Sequence, residues 1–277
     1  MKRILLFAVL LFVASTSLQA QLKQALKKVI ELKMPKTADD DMPGTRGASV
    51  AWHPLQKKYY AVMAGNAEYP LAVFDATGKR VSNDDLTAMN DSRGLWYNPA
   101  KKEISGNGYG ETGWFKYVLD GKGIPTSGSI ILEGSNQPGE QCVGAFHPVR
   151  KEVMFLYDGA VSLYALADGA TSGSVKINWG KKKESKASEG GSEDESGATP
   201  SAYNNTTVIY TGIKNAELGF LNTEKNTIEL YDFVSGFLTK ELPLPGNAVT
   251  EGSFNFAYTN GIYWLFNMQD RKWIGYK

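Results

Sequence analysis

The stretches VAWHPLQKKYY (50–60), LWYNPAKKEIS (95–105) and GAFHPVRKEVM (144–154) are three copies of one pattern. Each runs an apolar strand into His or Asn, then Pro, two spacer residues, further charged residues and a second apolar strand. A supersecondary unit repeated at roughly 45–50 residues predicts radial or linear stacking of that unit, and this decides the fold class before any single residue does. The repeat also makes the residues it fixes architectural. His53, Asn98 and His147 share one slot, where an imidazole or amide can bond the turn backbone, so the only two histidines of the chain are read as structural.

Aligned on this turn, the chain divides into units of four short strands, rich in β-branched and aromatic residues and broken by Gly, Asn and Asp turns. Three units follow the repeated turns. A fourth, looser one begins at NTTVIYTG (205–212), and a fifth ends at the C-terminus one strand short. The missing strand is supplied from the other end: VIELKMP (29–35) is similar to TKELPLP (239–245), the fourth strand of the fourth unit. Completing the last unit with an N-terminal strand closes a ring of sheets and leaves no orphan edge. The expected fold is therefore all-β, a five-bladed β-propeller closed by an N-terminal strand completing the last blade. LKQALKKVIEL (22–32) also has helical spacing, and a short helix ahead of the closing strand fits the same scheme.

Residues 1–20 read as a signal peptide, with Lys2 and Arg3 ahead of an apolar run at 4–14 that is too short to span a bilayer. Cleavage is expected after Ala20, with Ser17 as the alternative. Residues 21–277 then form a single propeller domain, placed in the periplasm, at the outer membrane or outside the cell, with no membrane span in the mature chain. Residues 181–200, KKKESKASEGGSEDESGATP, contain no apolar residue larger than Ala and are expected to be a disordered insert between the third and fourth blades. The net charge of +1 removes the electrostatic case for nucleic acid. Cys142, the single cysteine, lies in an apolar strand and reads as a buried, inert thiol.

The third-strand endings LAVFDATGK (71–79), VSLYALADG (161–169) and IELYDFVSG (228–236) place an aromatic residue, then Asp and Gly in two of the three, before the outermost strand. In this the chain resembles the WD-repeat and YVTN-type propeller superfamily over nearly its whole mature length. It departs from that superfamily in lacking the paired Trp-Asp and the Gly-His signature. The resemblance implies a propeller architecture and binding more often than catalysis.

No nucleophile elbow, phosphate loop, dinucleotide fingerprint, Ca loop or zinc set is present in the sequence, and no cofactor is implied. Propellers bind where strand-four-to-strand-one connections meet the central channel. Those connections bring Arg46, Arg93, Gln141, Tyr203 and Glu251 to the mouths of the inner strands, and loops on the same side add Tyr69, Tyr109, Glu111 and Trp114. Arginines and aromatics in such a ring suit a protein, a glycan or a small anion. The expected function is an exported, non-catalytic binding or scaffold module in a cell-envelope protein complex. The alternative is a five-bladed glycoside hydrolase or carbohydrate-binding protein, since Asp41, Asp91, Glu140 and Glu251 could set carboxylates around the channel, with Glu140 and Glu251 as the catalytic pair.

Overall fold

The computed structural model describes residues 25–36, 45–65, 67–83, 88–183 and 198–277. They form a five-bladed β-propeller. The predicted signal peptide, Asp41 and most of the charged insert lie outside the described residues.

Blade one contains β2 (Arg46–His53), β3 (Lys58–Ala64) and β5 (Ala72–Asp75). Its fourth strand is reduced to one bridge between Phe74 and Arg80. A two-residue ladder of β4 (Tyr69–Pro70) and β6 (Met89–Asn90) lies beside it. Blade two is β7 (Ser92–Asn98), β8 (Glu103–Gly108), β9 (Trp114–Leu119) and β10 (Pro125–Leu132). Blade three is β11 (Ala145–His147), β12 (Glu152–Tyr157), β13 (Ala160–Ala165) and β14 (Thr171–Lys176).

Blade four carries an element that the repeat does not predict. After Ile177 the chain leaves blade three as β15 (Asn178–Lys182) and pairs in parallel with β19 (Phe237–Pro243), outside β16 (Ile209–Tyr210), β17 (Leu218–Asn222) and β18 (Thr227–Tyr231). Lys181 and Lys182 thus belong to a strand and not to the insert, whose expected start at 181 is too early. The strap is held by side chains: Trp179 packs 4.6 Å from Tyr203 and 4.8 Å from Phe220, and the Gly180 amide donates to the Tyr231 hydroxyl at 2.9 Å.

Blade five is β20 (Phe256–Thr259), β21 (Ile262–Asn267) and β22 (Lys272–Tyr276), completed on its outer edge by β1 (Lys28–Lys33). Leu32 faces Trp273 in an antiparallel register and is fully buried. Closure by the N-terminal strand therefore combines ladder hydrogen bonds with burial of apolar side chains, which together leave that edge paired.

The three repeated turns have one geometry. His53 Nδ1 accepts from the Gln56 amide at 3.3 Å, Asn98 Oδ1 from the Lys101 amide at 3.4 Å, and His147 Nδ1 from the Arg150 amide at 3.4 Å. Each turn closes on a lysine in the left-handed region, at φ 51° for Lys57, 58° for Lys102 and 55° for Lys151. Because Nδ1 of His53 accepts, its proton sits on Nε2, which donates to the Lys102 carbonyl of blade two at 3.1 Å. His53 therefore caps its own turn and ties its blade to the next.

Each blade junction holds at least one buried polar residue. Beyond the two histidines, Asn107 of blade two donates to the Cys142 carbonyl at 2.9 Å and accepts from the Gly144 amide at 3.0 Å. Asn204 donates to the Phe254 carbonyl at 2.8 Å, and Asn255 accepts from the Gly47 amide at 2.7 Å. Inner strands approach closely at these points. A Cβ on Gly94 would stand 2.5 Å from Asn107 Oδ1 and 2.6 Å from the Gly144 amide, so that position requires glycine.

Candidate functional site

The five inner strands surround one channel whose two mouths differ. At the loop side, where strand-four-to-strand-one connections enter, the channel is stoppered. Phe254 and Asn255 both adopt left-handed backbone, φ 50° and 57°, and Phe254 is buried. Its ring lies 5.3 Å from the guanidinium of Arg46 in blade one and 5.7 Å from that of Arg93 in blade two. Blade one stands between blades five and two, so Phe254 and Arg93 meet across the channel. Guanidiniums over an aromatic face are attracted by the ring quadrupole.

Arg93 is itself 3% exposed and fully engaged. Its Nη1 donates to Asp91 Oδ1 at 2.5 Å and to the Ser92 carbonyl at 3.0 Å, its Nε donates to Gln141 Oε1 at 2.9 Å, and its cation stands 4.7 Å from the Tyr109 ring. Tyr109 in turn donates to Glu140 Oε2 at 2.6 Å, and this hydrogen bond to a carboxylate raises the phenol above its ordinary range. Four of the residues expected at this rim, Arg46, Arg93, Gln141 and Tyr109, are thus brought together, with Glu140 and Asp91 beside them.

The others are not. Trp114 is fully buried between blades, 6.2 Å from Trp96 and 6.4 Å from Phe155, and cannot act as a rim aromatic. It opens a strand, and its position along the strand does not reveal which face is covered by the next blade. Tyr69 is buried with its hydroxyl 3.0 Å from Thr45 Oγ1. Tyr203 is buried too, donating to Glu229 Oε2 at 2.7 Å beneath the β15 strap. Glu251 is half-buried, and its carbonyl accepts from Asn204 at 2.9 Å. Glu111 is exposed on a single turn of 3-10 helix, Gly110–Thr112. Among the described residues no three of His, Cys, Asp or Glu gather as a metal set, and no helix is long and apolar enough to cross a membrane.

At the turn side the channel opens into a cavity of about 300 Å³ walled by all five inner strands. The residue before the slot is aromatic in every blade: Trp52, Tyr97, Phe146, Tyr210 and Tyr258, all lining the cavity. Phe146 is buried and the other four are half-exposed. Each of these four is braced on one side by a neighbouring ring. His53 lies 4.7 Å from Tyr97, His147 4.4 Å from Tyr210, Tyr59 4.4 Å from Trp52 and Tyr263 4.8 Å from Tyr258. The backbone of Trp52 adds a hydrogen bond to Thr259 Oγ1 at 3.0 Å, which closes the ring from blade five to blade one. The signal for this ring is present in the amino acids, as an aromatic before each slot residue, but it is masked by the strand composition around it.

The protein is thus a five-bladed propeller with one stoppered mouth and one open, aromatic-ringed mouth. No protein-family model matches the chain, and no curated protein matches it. Among solved structures it is similar to a chain of the Kuenenia stuttgartiensis hydrazine synthase, with 11% identity over 83% of each chain and a TM-score of 0.45. It is also similar to a chain of a nidogen/laminin complex, with 10% identity over 79% of this chain and 91% of the other and a TM-score of 0.35. Neither likeness bears on what this chain binds.

Proposed function

We propose that the protein is an exported, non-catalytic binding or scaffold module of the cell envelope or extracellular space, and that it receives its partner at the turn-side mouth of the channel. The observation that carries this reading is the ring of braced aromatics around an open cavity, set against a stoppered mouth at the other end. Rigid, half-exposed Trp and Tyr side chains give large contact area at little cost in conformational entropy, which is the character of interface anchors. Export rests on the reading of residues 1–20 as a signal peptide.

One observation favours a second contact on the loop side. Arg46 is half-buried, and its guanidinium has no carboxylate partner among the described residues beyond its place over Phe254. It is suited to an acidic or carbonyl group on a partner. Co-purification from the native envelope separates the two faces. Loss of the partner on Trp52→Ala with Tyr258→Ala, and its retention on Arg46→Ala, is the expected result. Retention through the aromatic pair and loss on Arg46→Ala would move the binding face to the loop side. Glycan turnover abolished by Glu140→Gln or Glu251→Gln would replace the binding module with a hydrolase.

A further inference from the structure

We infer that the turn-side cavity takes a neutral sugar ring, the terminal residue of a glycan; this rests on the reading of that mouth as the binding face. The first observation is electrostatic. Among the described residues, no Asp, Glu, Lys, Arg or His lines the cavity. A charged ligand would be desolvated there without a counter-charge, at a cost that only pairing or hydrogen bonding offsets.

The second observation is that the lining is not simply greasy. Tyr97, Tyr210 and Tyr258 are among the lining residues, and their hydroxyls make no hydrogen bond to any described residue. A purely hydrocarbon ligand would strip water from these groups and give nothing in return. A pyranose does both things the wall requires. Its C–H faces lie against aromatic faces, whose quadrupole is negative, while its hydroxyls around the edge donate to and accept from phenol oxygens.

The third observation is size and rigidity. About 300 Å³ is at the small end of ligand pockets, which run roughly 300–1,000 Å³, and suits one ring better than an extended chain. The rest of a glycan would leave through the open mouth. Bracing by His53, His147, Tyr59 and Tyr263 means that the platform is formed before the ligand arrives, so little ordering is required on binding.

The test is titration of the purified protein with a panel of neutral methyl pyranosides, including glucose, galactose, mannose and N-acetylglucosamine types, followed by ligand-observed NMR and tryptophan fluorescence. Glucuronate is the charged comparison. At least one neutral glycoside is expected to bind, more tightly than glucuronate, with affinity lowered about tenfold by Trp52→Ala. Tyr258→Phe and Tyr97→Phe keep the rings and remove only hydroxyls, so they report on binding even if Trp52→Ala fails to fold; each is expected to weaken binding several-fold. Binding that ignores all three substitutions would overturn the assignment to this cavity. Absence of binding by every neutral glycoside would overturn the sugar inference. If the native partner were still lost on Trp52→Ala with Tyr258→Ala, the binding face would stand and its ligand would be a protein segment.

Discussion

The imidazole of His147 stacks on the ring of Tyr210, with centroids 4.4 Å apart and planes 29° from parallel. The first residue ends the inner strand of blade three and the second ends that of blade four, so the stack is a bolt between blades. His53 and Tyr97 also meet between blades one and two, at 4.7 Å but tilted by 55°. Where it is histidine, this position in the repeat therefore caps a turn, locks a junction and braces an aromatic at the channel mouth.

That arrangement makes stability depend on pH. Burial holds both imidazoles below their ordinary value of 6.5. Around His147, Arg150 acts in the same direction while Glu152 and Glu217 oppose it. As pH falls below 6.5, the unfolded chain takes up protons that the folded chain refuses, so stability declines until the folded-state values are reached. Urea midpoints are expected to drop between about pH 7 and about pH 5. The double variant His53→Asn, His147→Asn uses the residue that blade two already places in this slot. It should flatten the decline while keeping the turn. An unchanged slope would show that the histidines are not its source.

Glu229 is fully buried and receives the hydroxyls of Tyr203 and Tyr231, each at 2.7 Å, with Asn222 at 3.2 Å and Lys225 at 3.4 Å. Burial is the main cause that pushes the Tyr203 phenol up to about 12 and raises Tyr231 further, so both remain donors at neutral pH. Glu229→Ala leaves these donors without their acceptor and should cost about 3 kcal/mol or more. Glu229→Gln keeps an acceptor and should cost less. Because Tyr231 also receives the Gly180 amide, amide exchange in β15 is expected to rise in both variants, more in the first.

What could be read from the amino acids follows from this chemistry. The three turns were legible because His or Asn before Pro has one local use, and the closing strand was legible because an unpaired edge needs a partner. β15 was not, since SVKINW (174–179) reads as one strand and its break at Ile177 is set by Trp179 docking into blade four. Tyr69, Trp114 and Tyr203 read as rim residues from the sequence alone, because a strand pattern places a residue along the channel axis without saying which side the next blade covers. Arg93 and Gln141 were legible as rim residues of successive blades, because each stands where a connection enters an inner strand, but not as hydrogen-bond partners.

Ring closure predicts a strong dependence on one buried leucine. Leu32 contributes both to the β1–β22 ladder and to the core shared with blade one. Leu32→Ala should cost about 2–5 kcal/mol. For a domain of this size each kcal/mol corresponds to roughly 2–4 °C in Tm. An exposed neighbour on the same strand, Val29, is the control; its change to Ala should leave Tm within a degree or two if closure works through the buried face.

Cys142 is expected to be silent. It is buried, its Sγ lies 3.5 Å from the Leu156 carbonyl, and burial pushes the thiol up to about 12. The thiolate, which is the reactive form, is therefore scarce at neutral pH. Alkylation by iodoacetamide should go to completion in denaturant and be slow in native buffer. Rapid native labelling would mean that the junction between blades two and three opens.

Arg46 and Arg93 stand near the starts of the inner strands of blades one and two and flank the same ring, yet they should behave differently. Arg93 is 3% exposed and holds Asp91, Gln141 and the Ser92 carbonyl, so Arg93→Ala removes the counter-charge of Asp91 and opens a void beneath Tyr109 and Phe254. A loss of about 3 kcal/mol or more is expected. Arg46 is half-buried and touches Phe254 through a cation–π contact, which is worth about 0.5–1 kcal/mol at such a position. Arg46→Ala should lie within that range. Denaturant unfolding of the two variants distinguishes a stopper that holds the ring together from a guanidinium left available to a partner. Equal losses would mean that both arginines belong to the stopper, and the loop-side contact would then have no free group to make it.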